Sequence, residues 1–237
     1  MSNEIAIVMA AGKGERLRPF TYTTPKPLVK VRGTSMIETV IAGLERRGVS
    51  EIYVVVGYLK EQFSYLPEKY PNIRLVENTE YTVKNNISSI HAVIDKMGIE
   101  NCFICEADLC VFDPSVFDAE LNQSCYFGKM VKGHSDDWVL DQDNNGRIIR
   151  IGRFGDDVYN ICGVCYLKKQ DAAVIADAIE EAYQHKGHEQ LFWDEIVNQQ
   201  LDNVNMTVHP IESCQIVEID TAAELKAIDT SYADVVV

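Results

Sequence analysis

The stretch from Met9 to Val31, MAAGKGERLRPFTYTTPKPLVKV, places the tightest limits on what this chain can become. It follows a short apolar run, Ile5 to Met9, of the kind that forms a buried strand. Gly12 and Gly14 then remove side chains where the backbone must turn and come close to an anion. Prolines 19, 25 and 27 forbid a continuous helix after the loop. A dinucleotide fingerprint needs a third glycine and an immediate helix, and a P-loop needs Gly-Lys-Ser/Thr after four intervening residues. Neither pattern is present. Between positions 13 and 32 the chain carries Lys13, Arg16, Arg18, Lys26, Lys30 and Arg32 against the single acid Glu15, a local charge of +5 in a chain of net charge −14. A bound polyanion such as a triphosphate accounts for that concentration. A solvated basic loop at a sheet edge accounts for it equally well on charge alone.

Beyond the loop the hydrophobic pattern alternates between strand and helix. Ser35 and Glu38 form a capping-box pattern ahead of Ile37, Val40, Ile41 and Leu44, and Gly48 stands where that helix should stop. Ile52 to Val56, Ile73 to Glu77 and Cys102 to Cys105 read as strands, and Ser88 to Met97 as helical. This order predicts an α/β fold, a nucleotide-binding three-layer sandwich on a mixed, mainly parallel sheet. From Ser124 the pattern changes to short strand-like pieces with a turn at Asp143-Asn144-Asn145-Gly146, followed by an amphipathic helix over Asp171 to Tyr183. No linker or repeat divides the chain. We expect one domain over 1–237, with 1–123 mainly binding nucleotide and 124–237 mainly binding a second substrate and supplying a second metal carboxylate.

Composition narrows the possible partners. A charge of −14 argues against nucleic acid and anionic membrane surfaces as general partners. No apolar run approaches the roughly 20 residues of a bilayer span. The start, Met-Ser-Asn-Glu, lacks the basic opening of a signal peptide, and seven cysteines then suggest reduced thiols and a cytoplasmic location. Cys102/Cys105 and Cys162/Cys165 have metal-like spacing. In strands, however, residues three apart face opposite ways, so these cysteines are expected in the core.

AAGKGERLRP followed by TTPKPLVKV resembles the signature of nucleotidyltransferases that activate sugar-1-phosphates and related phosphate esters. GYLKEQFSYL, NNISSIHAV, EADLCVF, SDDWVL, CGVCYL, LFWDEIV and VEID are similar, in the same order, to segments of the bacterial CTP:phosphocholine cytidylyltransferases. The resemblance implies in-line displacement at the α-phosphorus of CTP by a phosphate oxygen, with pyrophosphate leaving. Such a reaction rests on positioning and charge neutralisation, and Mg2+ suits it.

By the same resemblance Arg16, Lys26 and Asp108 are the catalytic candidates. Ala10, Ala11, Gly12, Lys13, Gly14, Arg16, Lys26, Asn86 and Ser88 would contact CTP, and Asp108 and Asp220 would hold the metal. The residues taken alone leave other roles open. Asp108 could serve a turn before Pro114, Asp220 could cap a helix over Ala222–Ile228, and Asn86 and Ser88 could cap the helix that follows them.

For the second substrate the resemblance points to Trp138, Phe192, Trp193 and Asp194. Aromatic faces attract a quaternary ammonium, and Asp136, Asp137, Glu189 and Asp194 add negative charge nearby in sequence. Trp193 also fits the core face of a helix with Ile196 and Val197. Two positions depart from the choline-type pattern: Phe192 stands where those enzymes carry tyrosine, and Leu109 where they carry asparagine. The expected reaction is CMP transfer from CTP to phosphocholine, giving CDP-choline. Phosphoethanolamine, 2-aminoethylphosphonate and a sugar-1-phosphate are the alternative acceptors, and a non-catalytic nucleotide-binding module is the alternative of another class. The Glu-Lys-Tyr-Pro and Asn-Asn segments are also similar to those of cytidylyltransferases for the phosphonate.

Overall fold

A computed structural model of the chain describes residues 4–233. In chain order the strands and helices are β1 (Glu4–Ala10), β2 (Lys30–Val31), β3 (Thr34–Ser35), α1 (Met36–Arg47), β4 (Glu51–Val56), α2 (Tyr65–Lys69), β5 (Ile73–Glu77) and α3 (Ile87–His91). They continue with β6 (Asn101–Glu106), β7 (Leu109–Val111), β8 (Ser124–Met130), β9 (His134–Gln142), β10 (Ile148–Asp156) and β11 (Tyr159–Leu167). The last elements of the described residues are α4 (Lys169–Tyr183), α5 (Trp193–Gln199), β12 (Met206–Pro210), β13 (Ile216–Glu218) and α6 (Ala222–Ile228).

Nine of the strands form one mixed sheet among the described residues, in the order β10-β9-β11-β6-β1-β4-β5, with β8 paired to β11 and β12 to β8. The run β6-β1-β4-β5 is parallel, while β11, β9 and β10 join antiparallel to one another and to β6. Strand β1 is buried on both faces. Ala6, Val8 and Ala10 pack into one core layer, and Ile5 and Ile7 into the other. Each fully buried Ile or Val contributes roughly 1.5–3 kcal/mol, so this central strand is strongly held. Cys102 and Cys165 lie in one layer, Cys105 and Cys162 in the other, so neither close pair can share a metal.

Helix α1 starts after Ser35 and ends at Gly48, whose φ of 79° is the left-handed stop that glycine supplies without strain. Ser35 differs from the expected capping box: its hydroxyl donates to Glu38 Oε2 at 2.6 Å, and the side chain makes no bond to the helix backbone. The expected helix over 88–97 is broken, with α3 ending at His91 and a tighter turn over Ile94–Lys96. Ile87, Ile90 and Val93 pack in one core at three-residue spacing, which suits tighter winding.

After β1 the chain runs outward through β4 to β5, then returns to place β6 on the other side of β1. Parallel strands bring Ala10, Val56 and Glu106 to one edge, and the reversal of order between β1 and β6 opens a crevice there. The candidate site lies in that crevice.

Candidate active site

A cavity of about 440 Å³ occupies the crevice, lined on one side by Met9 to Gly12 and Gly14 and on the other by Glu106, Asp108, Glu218 and Asp220. The loop that forms its floor is tied down at several points. Gly14 has φ 59°, and its carbonyl accepts from Leu17 N at 3.0 Å and Thr21 Oγ1 at 2.8 Å. A Cβ at Gly14 would stand 2.6 Å from Lys26 Cβ, so glycine is required there both for its backbone angle and for space. Leu17, Val29, Val31 and Met36 anchor the loop in a third, smaller core shared with Ile219 and Leu225. Three short 3-10 turns occupy the proline-bearing segment where a helix is excluded.

Lys26, only 7% exposed, is held between Pro25 and Pro27 and directs its ammonium into the cavity. Its Nζ donates to Asp108 Oδ2 at 2.6 Å and to Asp220 Oδ1 at 2.7 Å. Burial works against its charge, but the two carboxylates outweigh burial and hold Lys26 above its ordinary value. Arg16, largely exposed, donates to the same Asp220 oxygen at 2.8 Å. Burial would raise Asp220, but Lys26 and Arg16 hold it below the usual carboxylate range.

Asp108 and Asp220 are 112 positions apart and meet because β7 and β13 pair antiparallel. Glu218 is in register with Leu109, and Ile219 N donates to Asp108 O at 3.3 Å. Helix capping is left to other residues: Thr221 caps α6 and Asp113 caps the turn over Pro114–Asp118. The ribbon also brings in two acids that the sequence reading missed. Glu106 and Glu218 each precede an aspartate by two positions, the spacing that puts side chains on one face of a strand, and this periodicity was the available signal. Burial, then the neighbouring carboxylates, pushes Glu106 well up, and burial with Asp108 pushes Glu218 to about 8.

Four carboxyl groups therefore face two cations. Glu106, Asp108 and Glu218 can each bring an oxygen within 4.8 Å of the others, as a shared cation would require. Asp108 Oδ1 is buried without a hydrogen-bond partner among the described residues. This donor set of hard oxygens with an orphaned carboxylate oxygen fits a divalent ion such as Mg2+.

Of the other expected nucleotide contacts, Ala10, Ala11, Gly12, Gly14, Asn86 and Ser88 line the cavity. Lys13 is exposed and lies outside its lining. Asn86 Oδ1 accepts from Trp193 N at 2.9 Å, and Ser88 Oγ donates to Asn85 O at 2.8 Å, so both side chains also brace the wall. Tyr81, Lys84 and Asn78 complete that wall, and no motif had singled them out.

The expected second-substrate residues separate into two groups. Trp193 is 3% exposed and stacks on Tyr126 at 5.9 Å between centroids, a core residue as its helical spacing allowed. Asp194 is buried beside it and accepts from Tyr126 Oη at 2.9 Å, while burial pushes its carboxyl up to about 6. Trp193 and Asp194 both line a small second cavity, and Met9 and Glu106 line both cavities, so the two residues adjoin the nucleotide site. Trp138 and Phe192 form an edge-to-face pair at 5.4 Å, half-buried, outside both cavities. The guanidinium carbon of Arg153 lies 4.8 Å from the Trp138 centroid and 5.8 Å from that of Phe192.

The model for MobA-like NTP transferase domains matches residues 6–194 of this chain. A 2-aminoethylphosphonate cytidylyltransferase of Lancefieldella rimae is 52% identical over 227 residues, 96% of this chain and 92% of the relative. A choline-phosphate cytidylyltransferase of Streptococcus pneumoniae is 33% identical over 224 residues, 94% of this chain and 96% of the relative. The solved structure of CTP:phosphocholine cytidylyltransferase from Streptococcus pneumoniae superposes with a TM-score of 0.88 at 32% identity, covering 97% of this chain and 99% of that one.

Proposed function

Since this chain belongs to the MobA-like NTP transferase family and is a cytidylyltransferase within it, we propose that it transfers CMP from CTP to 2-aminoethylphosphonate, giving CMP-2-aminoethylphosphonate and pyrophosphate. The observation that carries the choice of acceptor is the 52% identity, over nearly the whole chain, to a relative named for that phosphonate. It moves the reading away from phosphocholine, for which the named relative is 33% identical. The reducing cytosol suits the seven free cysteines.

A phosphonate oxygen attacks the α-phosphorus, a new P–O bond forms, and the bond to the pyrophosphate oxygen breaks in line. The acceptor is already an anionic nucleophile, so no general base is needed. The loop from Ala11 to Gly14 and the Arg16 guanidinium receive the triphosphate, with amide N–H groups and positive charge directed at its oxygens. Lys26, buried and fully charged, donates to the α-phosphate or to the attacking oxygen as charge redistributes. Asp108 and Asp220 would hold a magnesium ion, with Glu106 and Glu218, whose oxygens converge with that of Asp108, completing the acidic wall. Mg2+ bound there supplies charge neutralisation between two substrates that repel each other. Asp194 accepts from the primary ammonium of the acceptor.

Incubation of the protein with Mg2+, each of CTP, UTP, dTTP and ATP, and 2-aminoethylphosphonate, phosphocholine, phosphoethanolamine or glucose-1-phosphate tests the reading by pyrophosphate release. The highest kcat/KM is expected for CTP with 2-aminoethylphosphonate. A higher value for phosphocholine overturns the acceptor, and release from no pair overturns catalysis altogether.

A further inference from the structure

Arg153 lies on β10, the edge strand of the sheet, opposite Trp138 on β9. Among the described residues it forms no ion pair, and its charge is met by the faces of two rings. Regular antiparallel pairing puts the Arg153 and Trp138 side chains on one face, and the backbone is distorted immediately beyond them. Register between β10 and β9 slips just beyond the Arg153–Trp138 pair, where Asp136 and Asp137 of β9 face the single residue Phe154 of β10, a bulge in β9 that re-aims the side chains beside it. Opposite the bulge Phe154 takes φ 67°, a left-handed conformation unfavourable for an aromatic residue. Packing of the Phe154 ring does not compensate, since that residue is 56% exposed. Arg150 holds the bulge in place, donating to Arg153 O at 3.3 Å and to Phe154 O at 2.8 Å. A Cβ at Gly152 would stand 2.6 Å from Arg150 Nη1, so Gly152 leaves the room that Arg150 needs. Strain held by dedicated contacts, with no gain in packing, points to a role for the residue it orients.

The rings that Arg153 covers are the aromatic faces that a quaternary ammonium would need. A trimethylammonium has no N–H to donate and binds through such faces. A primary ammonium donates hydrogen bonds and is satisfied by a carboxylate such as Asp194, deeper and nearer the nucleotide cavity. Phosphocholine is also longer than 2-aminoethylphosphonate by one ester oxygen, so its bulkier head reaches further from the reacting phosphorus.

We propose that Arg153 is a specificity-determining residue that occupies the Trp138–Phe192 pair with the protein's own cation and so disfavours quaternary-ammonium acceptors against primary-ammonium ones. The proposal rests on the acceptor reading above. It assigns the irregular pairing next to Arg153, with the strained Phe154, to substrate selection.

The test compares wild type, Arg153→Ala and Arg153→Lys in kcat/KM for phosphocholine and 2-aminoethylphosphonate with CTP and Mg2+. Arg153→Ala should raise the phosphocholine-to-phosphonate ratio by about tenfold, the order expected from uncovering a two-ring cation site. Arg153→Lys, which keeps a cation over the rings, should stay within about threefold of wild type. Titration with choline, read by Trp138 fluorescence, should give saturable quenching in Arg153→Ala at concentrations that leave wild type unchanged. An unmoved ratio and no gain of choline quenching in a folded Arg153→Ala protein overturn the proposal. A wild type that prefers phosphocholine instead overturns the acceptor reading beneath it. The two failures are distinct, because the first is read on the variant and the second on the parent.

Discussion

Replacing Lys26 by methionine tests the centre of the site, because Lys26 links its geometry, its charge balance and its chemistry. The substitution keeps an unbranched apolar stem of similar reach and removes the ammonium that sits 2.6 Å from Asp108 and 2.7 Å from Asp220. Breaking a buried ion pair by removing one partner costs about 3–5 kcal/mol, because the other charge is left uncompensated. Here the cost should fall near the lower end, about 3 kcal/mol, since Glu106 and Glu218 are already pushed toward their neutral forms and Arg16 still reaches Asp220. For a chain of this size that corresponds to a fall in Tm of about 6–12 °C in EDTA. Mg2+ should restore more of the lost Tm in the variant than it adds to wild type, because the ion and the ammonium neutralise the same carboxylates. Loss of one donor to the developing phosphoryl charge should lower kcat by about 10²–10³. Calorimetry in EDTA and in Mg2+, with pyrophosphate release under saturating substrates, measures both effects. A variant within about 1 kcal/mol of wild-type stability and within threefold of its kcat would refute the reasoning, because the ion pairs would then carry neither stability nor catalysis.

Asp108→Ala should abolish magnesium-dependent pyrophosphate release while far-UV circular dichroism stays that of wild type; substantial remaining activity would mean the metal is held elsewhere. Gly14→Ala forces a left-handed angle on an L side chain and drives a Cβ against Lys26, so it should cost about 1–2 kcal/mol from the backbone angle alone, plus the clash, and lower kcat/KM at least tenfold; chemical denaturation and steady-state kinetics check it. The carboxyl of Glu218 is raised in the folded protein to about 8 from 4.5, so the folded state binds its proton more tightly than the unfolded chain does. That stability is present below about 4.5 and is lost as pH rises toward about 8. The metal-free protein should therefore lose Tm across that window, and Glu218→Gln should flatten the loss. An unchanged pH profile in the variant would remove Glu218 from the coupled acidic wall.

Much of the molecule was legible in the order of residues because the relevant forces are local. The strand before the loop, α1 with its stop at Gly48, the turn at Asp143–Gly146 and α6 follow from periodicity and capping, which act within a few residues. The glycines and prolines around Lys26 excluded two familiar phosphate loops, since backbone angles do not depend on distant contacts. Asp108 and Asp220 could be named because they lie in motifs that resemble a known family. Tertiary structure decided what depended on separate segments meeting. Pairing of β7 with β13 made one acidic wall from residues more than a hundred positions apart and added Glu106 and Glu218, whose altered protonation exists only once they are buried together. It also turned Trp193 into the core, left Lys13 outside the cavity, and laid Arg153 over the rings that the family resemblance had offered to a ligand. Strand pairing and burial bring together residues that no local pattern relates, so the sequence determined the reaction's class and the folded chain decided how its charges are balanced.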